Sequence, residues 1–478
     1  MARADWEAVI GLEIHVQLAT ATKLFSAAPV SFGDEPNENI DPVTLGLPGA
    51  LPVVNARAVE LAVRLGLAMG CEIDRASRFA RKHYFYPDLP KGYQISQFEE
   101  PICRGGVVVC DVDGVEKRFR LTRIHLEEDA GKNVHEGGRS LVDLNRAGTA
   151  LCEVVGEPEL RSPADAVAYM KELHQIVVAL GVCDGNMEQG NFRCDANVSV
   201  RRRGETRLGT RTEIKNVNSF RFVGRALEYE IDRQIALVES GGAVVQETRG
   251  WDDEKGVTRS QRGKEDAQDY RYFPDPDLME LTLDEAFVER VRSELPELPR
   301  ARRDRFVRDF GLTPYDADVL TQSAARAAYF EAVATATGDG KTAANWVINE
   351  VLGALNKAGL DVESSPVSAA ALADLLGLLG KGTLSSKMAK DCFLAMYQDG
   401  VAPAAWVAKN GGQITDTGAI EAVVREVLDK NPEQVQELLS GKDKVLGFFV
   451  GQIMKATRGK ANPQQVNEIL AREVESRR

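Results

Sequence analysis

The run Val9-Ile10-Gly11-Leu12-Glu13-Ile14-His15-Val16-Gln17-Leu18 constrains the fold more than any other segment, because its polarity alternates with a period of two. That is the period of a strand: Leu12, Ile14, Val16 and Leu18 lie on one face, and Glu13, His15 and Gln17 on the other. A chain built on such a strand buries one face of a sheet and leaves the other for solvent or for chemistry. A carboxylate two positions from an imidazole on a rigid element can hold a divalent cation. The plainer reading is a half-buried strand whose polar face happens to carry these residues.

The rest of the chain supplies partners. All five histidines (His15, His83, His125, His135 and His174) lie in the first 174 residues. His125-Leu126-Glu127-Glu128-Asp129 follows a second strand-like run, Arg118 to Ile124, and sets three acids beside an imidazole. Strand parity puts His125 with Glu127 and Leu126 with Glu128, on opposite faces, and leaves open which acid points inward. An acidic exit from a surface strand is the alternative.

Residues 1 to about 290 read as strands and turns, with strand runs near 9–18, 107–113, 118–126, 152–155, 194–201 and 211–217 separated by Gly, Pro and Asp clusters. One helix starts at Ser162-Pro163, a cap followed by proline at the first helical position, and stops at Leu180-Gly181. A second spans about Phe222 to Glu239. The expected fold class is α+β: a cradle over 1–294 with a mostly antiparallel sheet, then two all-α domains. The first boundary is Glu294-Leu295-Pro296-Glu297-Leu298-Pro299, beyond which alanine- and leucine-rich helical periodicity takes over. A helical domain over 295–410 and a small helical tail over 411–478 then divide at Gly411-Gly412, where the chain could hinge.

At 478 residues the chain exceeds a single core. Hydrophobic content of 44% and charged content of 27% describe a water-soluble protein. No run reaches the length of a transmembrane helix, and the start Met-Ala-Arg-Ala-Asp-Trp-Glu lacks the apolar core of a signal peptide, so a cytoplasmic location and no membrane partner are expected. The seven cysteines are odd in number and contain no CxxC pair, which argues against a disulfide framework and a cysteine zinc site. A net charge of −13 predicts only weak indiscriminate attraction to nucleic acid, so RNA contacts must come from local basic patches.

Several segments carry chemical content. Lys82 to Gln97 has neither helical nor strand period and concentrates three tyrosines, two lysines and two prolines. Basic residues interleaved with aromatics suit stacking on a base; an aromatic-packed surface loop is the alternative. In Arg193 to Val200, Asp195, Asn197 and Ser199 share one face, and Thr212-Glu213-Ile214-Lys215-Asn216 follows with Glu213 and Lys215 on a common face. These are residue types that hold Mg²⁺ and phosphate oxygens, or that form a cross-strand ion pair. No Walker loop, GxSxG, HExxH or GxGxxG accompanies them, so ATP handling here needs a non-standard site on a sheet surface. In the tail, an apolar helix from Lys444 is followed by Lys455, Arg458 and Lys460, which read either as helix-end cations or as a phosphate-binding patch.

Taken together these segments closely resemble the family of B subunits of bacterial aspartyl/glutamyl-tRNA amidotransferases. The resemblance spans essentially the full length. It rests on Gly11-Leu12-Glu13-Ile14-His15, Lys82 to Asp88, Glu127-Glu128-Asp129-Ala130-Gly131-Lys132, Leu144 to Thr149, Arg193-Cys194-Asp195-Ala196-Asn197, Glu213-Ile214-Lys215-Asn216, Asp269-Tyr270-Arg271-Tyr272-Phe273-Pro274 and the tail. It implies a heterotrimer with an amidase subunit and a small third subunit. It also implies that this chain binds misacylated tRNA and uses ATP to phosphorylate the side-chain carboxylate of Glu-tRNA(Gln) or Asp-tRNA(Asn), the acyl phosphate then being amidated by ammonia. The chain has no Ser-Ser-Lys amidase or Cys-His glutaminase signature of its own.

By position, the resemblance implies His15, Glu128 and Glu153 as Mg²⁺ ligands with Glu13 beside them. Lys82, Asp195, Asn197, Glu213 and Lys215 are implied contacts to ATP or acyl phosphate; the tail's own charge pattern adds Lys455, Arg458 and Lys460 as expected contacts to tRNA. Two departures stand out. Where many relatives carry a four-cysteine zinc knuckle, this chain has Ser26, Ala28, Asp41 and Thr44, so no structural zinc is expected. Ala150 and Cys152 replace residues usually proline and aliphatic, next to Glu153. A non-catalytic tRNA-binding scaffold is the competing reading, and a metal-dependent hydrolase a third that leaves the tail and the aromatic loop unused. Hard-cation ligands on several strands favour the enzyme.

Overall fold

The computed structural model describes residues 3–215, 217–263, 270–414, 416–439, 444–457 and 459–477. The chain divides into two compact units, Met1–Pro299 and Arg300–Arg478.

The first unit is organised by β1 (Trp6–Gln17), in which buried apolar residues alternate with half-exposed Glu13, His15 and Gln17. After it come α1 (Ala56–Ala68), the short strands β2 (Ala80–His83) and β3 (Tyr93–Ser96), and the long β4 (Val115–Glu128) and β5 (Ala150–Gly156). Then follow α2 (Pro163–Ala179), β6 (Phe192–Arg202), β7 (Thr212–Lys215), α3 (Phe220–Glu239), β8 (Glu247–Asp252), β9 (Val257–Gly263) and β10 (Phe273–Pro274). The main sheet runs β9-β8-β7-β6-β1-β5-β4, continued by short edge strands. Among the described residues all its pairings are antiparallel except β7 with β8. The α+β expectation holds.

The helices cover one face of this sheet. α2 and α3 begin at Ser162 and Ser219, whose hydroxyls accept from the Asp165 and Phe222 amides, and they bury Tyr169, Met170, Leu173, Val223 and Ile231 against Leu12, Ile14, Cys194 and Val198. Because the apolar residues of β1, β5 and β6 all turn to that side, the polar residues of the same strands collect on the other. The segment from Lys82 to Gln97, whose sequence shows no period, is a hairpin of β2 and β3, extended by β10 pairing Phe273 with Arg81. Strands this short show no alternation, and their partner lies nearly 200 positions away.

The boundary falls later than residue 294. The helix Glu285–Ser293 buries Val288 and Val291 in the first core, and Leu295 and Leu298 pack on it too, so the chain leaves that core only at Pro299. The second unit is helical and holds two separate apolar clusters, one drawn from Phe306 to Met396 and one from Ile420 to Val474. Its later helices are α4 (Pro403–Asn410), α5 (Thr417–Lys430), α6 (Lys444–Ala456) and α7 (Pro463–Glu475). Between α4 and α5, Gly411 adopts a left-handed φ of 76°, and the Gln413 and Ile414 amides donate to Thr383 and Lys460 carbonyls at 2.7 Å each. No helix among the described residues is long and apolar enough to cross a membrane.

Candidate active site

Strand register assembles the site. His15 on β1 is opposite Glu153 on β5, and Glu153 is opposite His125 on β4, with Glu127 two residues further along the same face. His15 Nε2 lies 3.4 Å from Glu127 and 3.8 Å from Glu153, and one ligand atom of each of the three lies within 4.8 Å of the others. His125 is fully enclosed behind them, its Nε2 3.3 Å from Glu153 and 3.7 Å from Glu127. The Arg123 Nε lies 3.3 Å from its Nδ1. Burial alone would discharge His125, but Glu153 and Glu127 outweigh it and push the imidazole up to about 9. Glu153 is held low: burial opposes its charge, and His125, His15 and Lys82 more than compensate.

The structure corrects one expected ligand. Glu128 points to the opposite side of β4, where its carboxylate meets the Lys91 ammonium and accepts from the Ile95 amide at 2.9 Å. Glu127 stands in the position the resemblance assigned to Glu128. Parity with His125 is the signal that selects it, once the pairing shows which face His125 shares with His15.

The other expected residues gather around the same cleft. Lys215 Nζ lies 2.7 Å from Asp195 and 3.2 Å from Glu213. Asn197 donates to Glu13 at 3.0 Å, and Thr248 to Glu213 at 2.8 Å. Burial followed by Glu153, Glu213 and Asp195 pushes the Glu13 carboxyl up. Burial works against the Lys215 charge, yet Asp195 and Glu213 hold its amine above the usual lysine range. Lys82 follows the same pattern through Glu127, Tyr272 and Glu153, and its ammonium lies 4.9 Å above the Tyr270 ring. Glu13, His15, Lys82, Asp195, Asn197, Glu213 and Lys215 line one cleft of about 720 Å³ with Arg193 and Arg211. Arg193, which no local pattern in the sequence marks as a site residue, bonds Asp129 at 2.9 Å.

The knuckle positions hold a hydrogen-bonded turn. Asp41 accepts from the Thr44 amide at 2.8 Å, and the Ser26 and Thr44 hydroxyls help hold its charge against the cost of burial. In the tail, Lys455 is exposed at the end of α6, and Arg458 lies outside the described residues. Lys460 is engaged within the fold: its ammonium donates to the Asn410 carbonyl at the end of α4.

A sheet face that gathers imidazole, carboxylates and lysines into one cleft, with no serine or cysteine among its described lining residues, is the face of a group-transfer enzyme acting on anions. Residues 8–289 match the GatB/GatE catalytic domain family and residues 328–474 the GatB domain. The chain is 57% identical over 477 residues to the B subunit of the aspartyl/glutamyl-tRNA(Asn/Gln) amidotransferase of Alkalilimnicola ehrlichii, covering 99% of this chain and 100% of that one. It is 57% identical over 476 residues to the corresponding protein of Geobacter sulfurreducens, covering 98% and 99%. The chain belongs to the family of B subunits of the aspartyl/glutamyl-tRNA(Asn/Gln) amidotransferase.

Proposed function

We propose that the first unit carries out the ATP-dependent step of tRNA-dependent amidation: it transfers the γ-phosphoryl group of ATP to the side-chain carboxylate of Glu-tRNA(Gln), Asp-tRNA(Asn) or both. A carboxylate is a poor acceptor for ammonia, because oxide is a poor leaving group. As an acyl phosphate it loses inorganic phosphate when ammonia attacks the carbonyl carbon, and the product is the amide. The partners are an amidase subunit that releases ammonia from glutamine and a small third subunit, and the complex is cytoplasmic. The observation carrying this reading is the convergence of His15, Glu127 and Glu153 with Lys82 and Lys215 in one cleft.

One imidazole and two carboxylates fit Mg²⁺ or Mn²⁺, which accept such donors and keep further positions for water and phosphate. Such an ion would neutralise charge on the transferring phosphoryl group. The chain's own residues do the rest. Lys82 and Lys215 draw the anionic reactants in and hold them in line. Asn197 and Thr248 fix the Glu13 and Glu213 carboxylates so that they stay clear of the incoming phosphates. In the tail, Lys455 contacts tRNA phosphate.

The decisive experiment gives the reconstituted trimer each misacylated tRNA and ATP without an amide donor. Phosphate release that requires the misacylated tRNA is expected. A complex that binds this tRNA but cleaves no ATP is a scaffold, and the reading fails.

A further inference from the structure

A second cavity lies at the other end of β1 from the metal-ligand cluster. Trp6 and His15 are separated by the length of that extended strand, about 30 Å. The cavity has a volume of about 210 Å³ and sits where the start of β1, the first turn of α2 and the middle of α3 meet. Part of its wall is apolar, formed by Trp6, Ile231 and Ile235, all buried. The rest is cationic, with Arg3, Arg161 and Arg203 supplied by three separate segments.

The three guanidiniums are not equivalent. Arg3 is balanced by Glu228 and by Asp232 at 3.5 Å. Arg161 and Arg203 are oriented by main-chain carbonyls instead: Arg161 Nη1 donates to Pro158 at 2.8 Å and to Leu160 at 3.0 Å, and Arg203 Nε donates to Ala4 at 3.0 Å. A carbonyl fixes a guanidinium without neutralising it, and a guanidinium has five N–H groups, so both keep their charge and spare donors. Glu7 is the one carboxylate among the described lining residues; Arg201 holds it at 2.6 Å, and it lies 3.8 Å from Arg161. Arg201, Arg202 and Arg203 form a basic run in a chain of net charge −13, and the phosphoryl chemistry leaves that run unused. Like charges drawn to one cavity repel, and an anion placed between them relieves the cost.

We propose that this cavity binds a phosphate-type oxyanion at a site separate from the cleft. Each guanidinium can meet two oxygens of such an anion side by side. The Ser162 hydroxyl, which accepts from the Asp165 amide, still has its own proton to donate. The buried apolar wall excludes water on one side and strengthens these charge interactions. Two uncancelled positive charges suit a phosphate better than a single carboxylate. The oxyanion has two sources of the same chemistry, free inorganic phosphate and a backbone phosphate of RNA.

Modification of arginines by phenylglyoxal, followed residue by residue by mass spectrometry, tests the site in the reconstituted wild-type complex. Inorganic phosphate at millimolar concentration is expected to slow modification of both Arg161 and Arg203 roughly fivefold, or micromolar tRNA to do so in its place. Sodium chloride and sodium acetate at matched ionic strength are expected to leave both rates unchanged. Protection by inorganic phosphate assigns the site to the free anion, and protection by tRNA that inorganic phosphate does not reproduce assigns it to an RNA backbone. In Arg203→Gln, the concentration of the protecting ligand that half-protects Arg161 is expected to rise roughly tenfold, with the melting temperature and the phosphate release from ATP kept at wild-type values. The proposal is overturned if neither phosphate nor tRNA protects the two arginines beyond chloride and acetate, if only one of the two is protected, or if Arg203→Gln leaves the protection of Arg161 unchanged. The wild-type protection needs no variant and decides the matter even if Arg203→Gln fails to fold.

Discussion

His15 and Glu153 face each other across the antiparallel pairing of β1 and β5, and Glu153 faces His125 across the next pairing. Directly opposed residues share a sheet face with their Cβ atoms about 5 Å apart. Three strands thus deliver imidazole, carboxylate and imidazole in a row, and Glu127 closes the cluster from β4. The preorganisation comes from backbone hydrogen bonds, which do not depend on the ligand being present.

Glu127→Gln and Glu153→Gln are each expected to weaken Mn²⁺ binding to the complex, measured by electron paramagnetic resonance, by roughly a hundredfold. Glu128→Gln, on the far side of β4, is expected to stay within about threefold of wild type, under about 1 kcal/mol. A large loss in Glu128→Gln with none in Glu127→Gln would reverse the assignment.

Lys23 lies 1% exposed, and its ammonium has one weak acceptor, the Leu144 carbonyl at 3.4 Å. Burial pushes its amine down to about 8, against the pull of Asp41 and Glu128. Between pH 8 and the unfolded value of 10.5 the unfolded chain binds more protons at this site, so its contribution to stability rises with pH there. Lys23→Met is therefore expected to stabilise the first unit at neutral pH by about 2 to 3 kcal/mol, the advantage shrinking as pH rises toward the unfolded value. Urea unfolding at pH 7 and pH 10 measures it. A gain independent of pH would show that packing, and not charge, is responsible.

Lys455 and Lys460 separate by role. Lys455→Ala is expected to reduce the slope of log affinity for tRNA against log salt by about one unit. Lys460→Ala is expected to leave that slope unchanged and to speed amide exchange at Gln413 and Ile414, whose bonds it secures. Equal slope changes in both variants would return Lys460 to the tRNA surface.

The turn at Asp41–Thr44 is held by the Asp41 carboxylate. Elemental analysis of the purified chain is expected to show no stoichiometric zinc. Asp41→Ala is expected to cost about 1 to 2 kcal/mol through the lost charge-assisted hydrogen bonds. One zinc per chain, or an Asp41→Ala variant rescued by added zinc, would contradict this.

Much of this was legible in the chain. The alternation of β1 and β6 is long enough to read unaided, and Ser162-Pro163 and Leu180-Gly181 mark a helix by local chemistry alone. The short hairpin of β2 and β3 was not, because four-residue strands carry no period and their tyrosines and prolines mimic a loop. Lys460 looked like one more cation in a basic run; only the folded chain brings Asn410 to its ammonium.

By itself the sequence determined which residues of each strand share a face, since side chains alternate with a period of two whatever the partner strand. It thereby sorted His125 with Glu127 and Leu126 with Glu128. Which of those faces meets His15 was decided by the register of β4 on β5 and of β5 on β1, a pairing between residues up to 142 positions apart. A shift of one residue would have presented Glu128 instead. Long-range register depends on how the apolar faces pack beneath the helices, and that is a property of the assembled core.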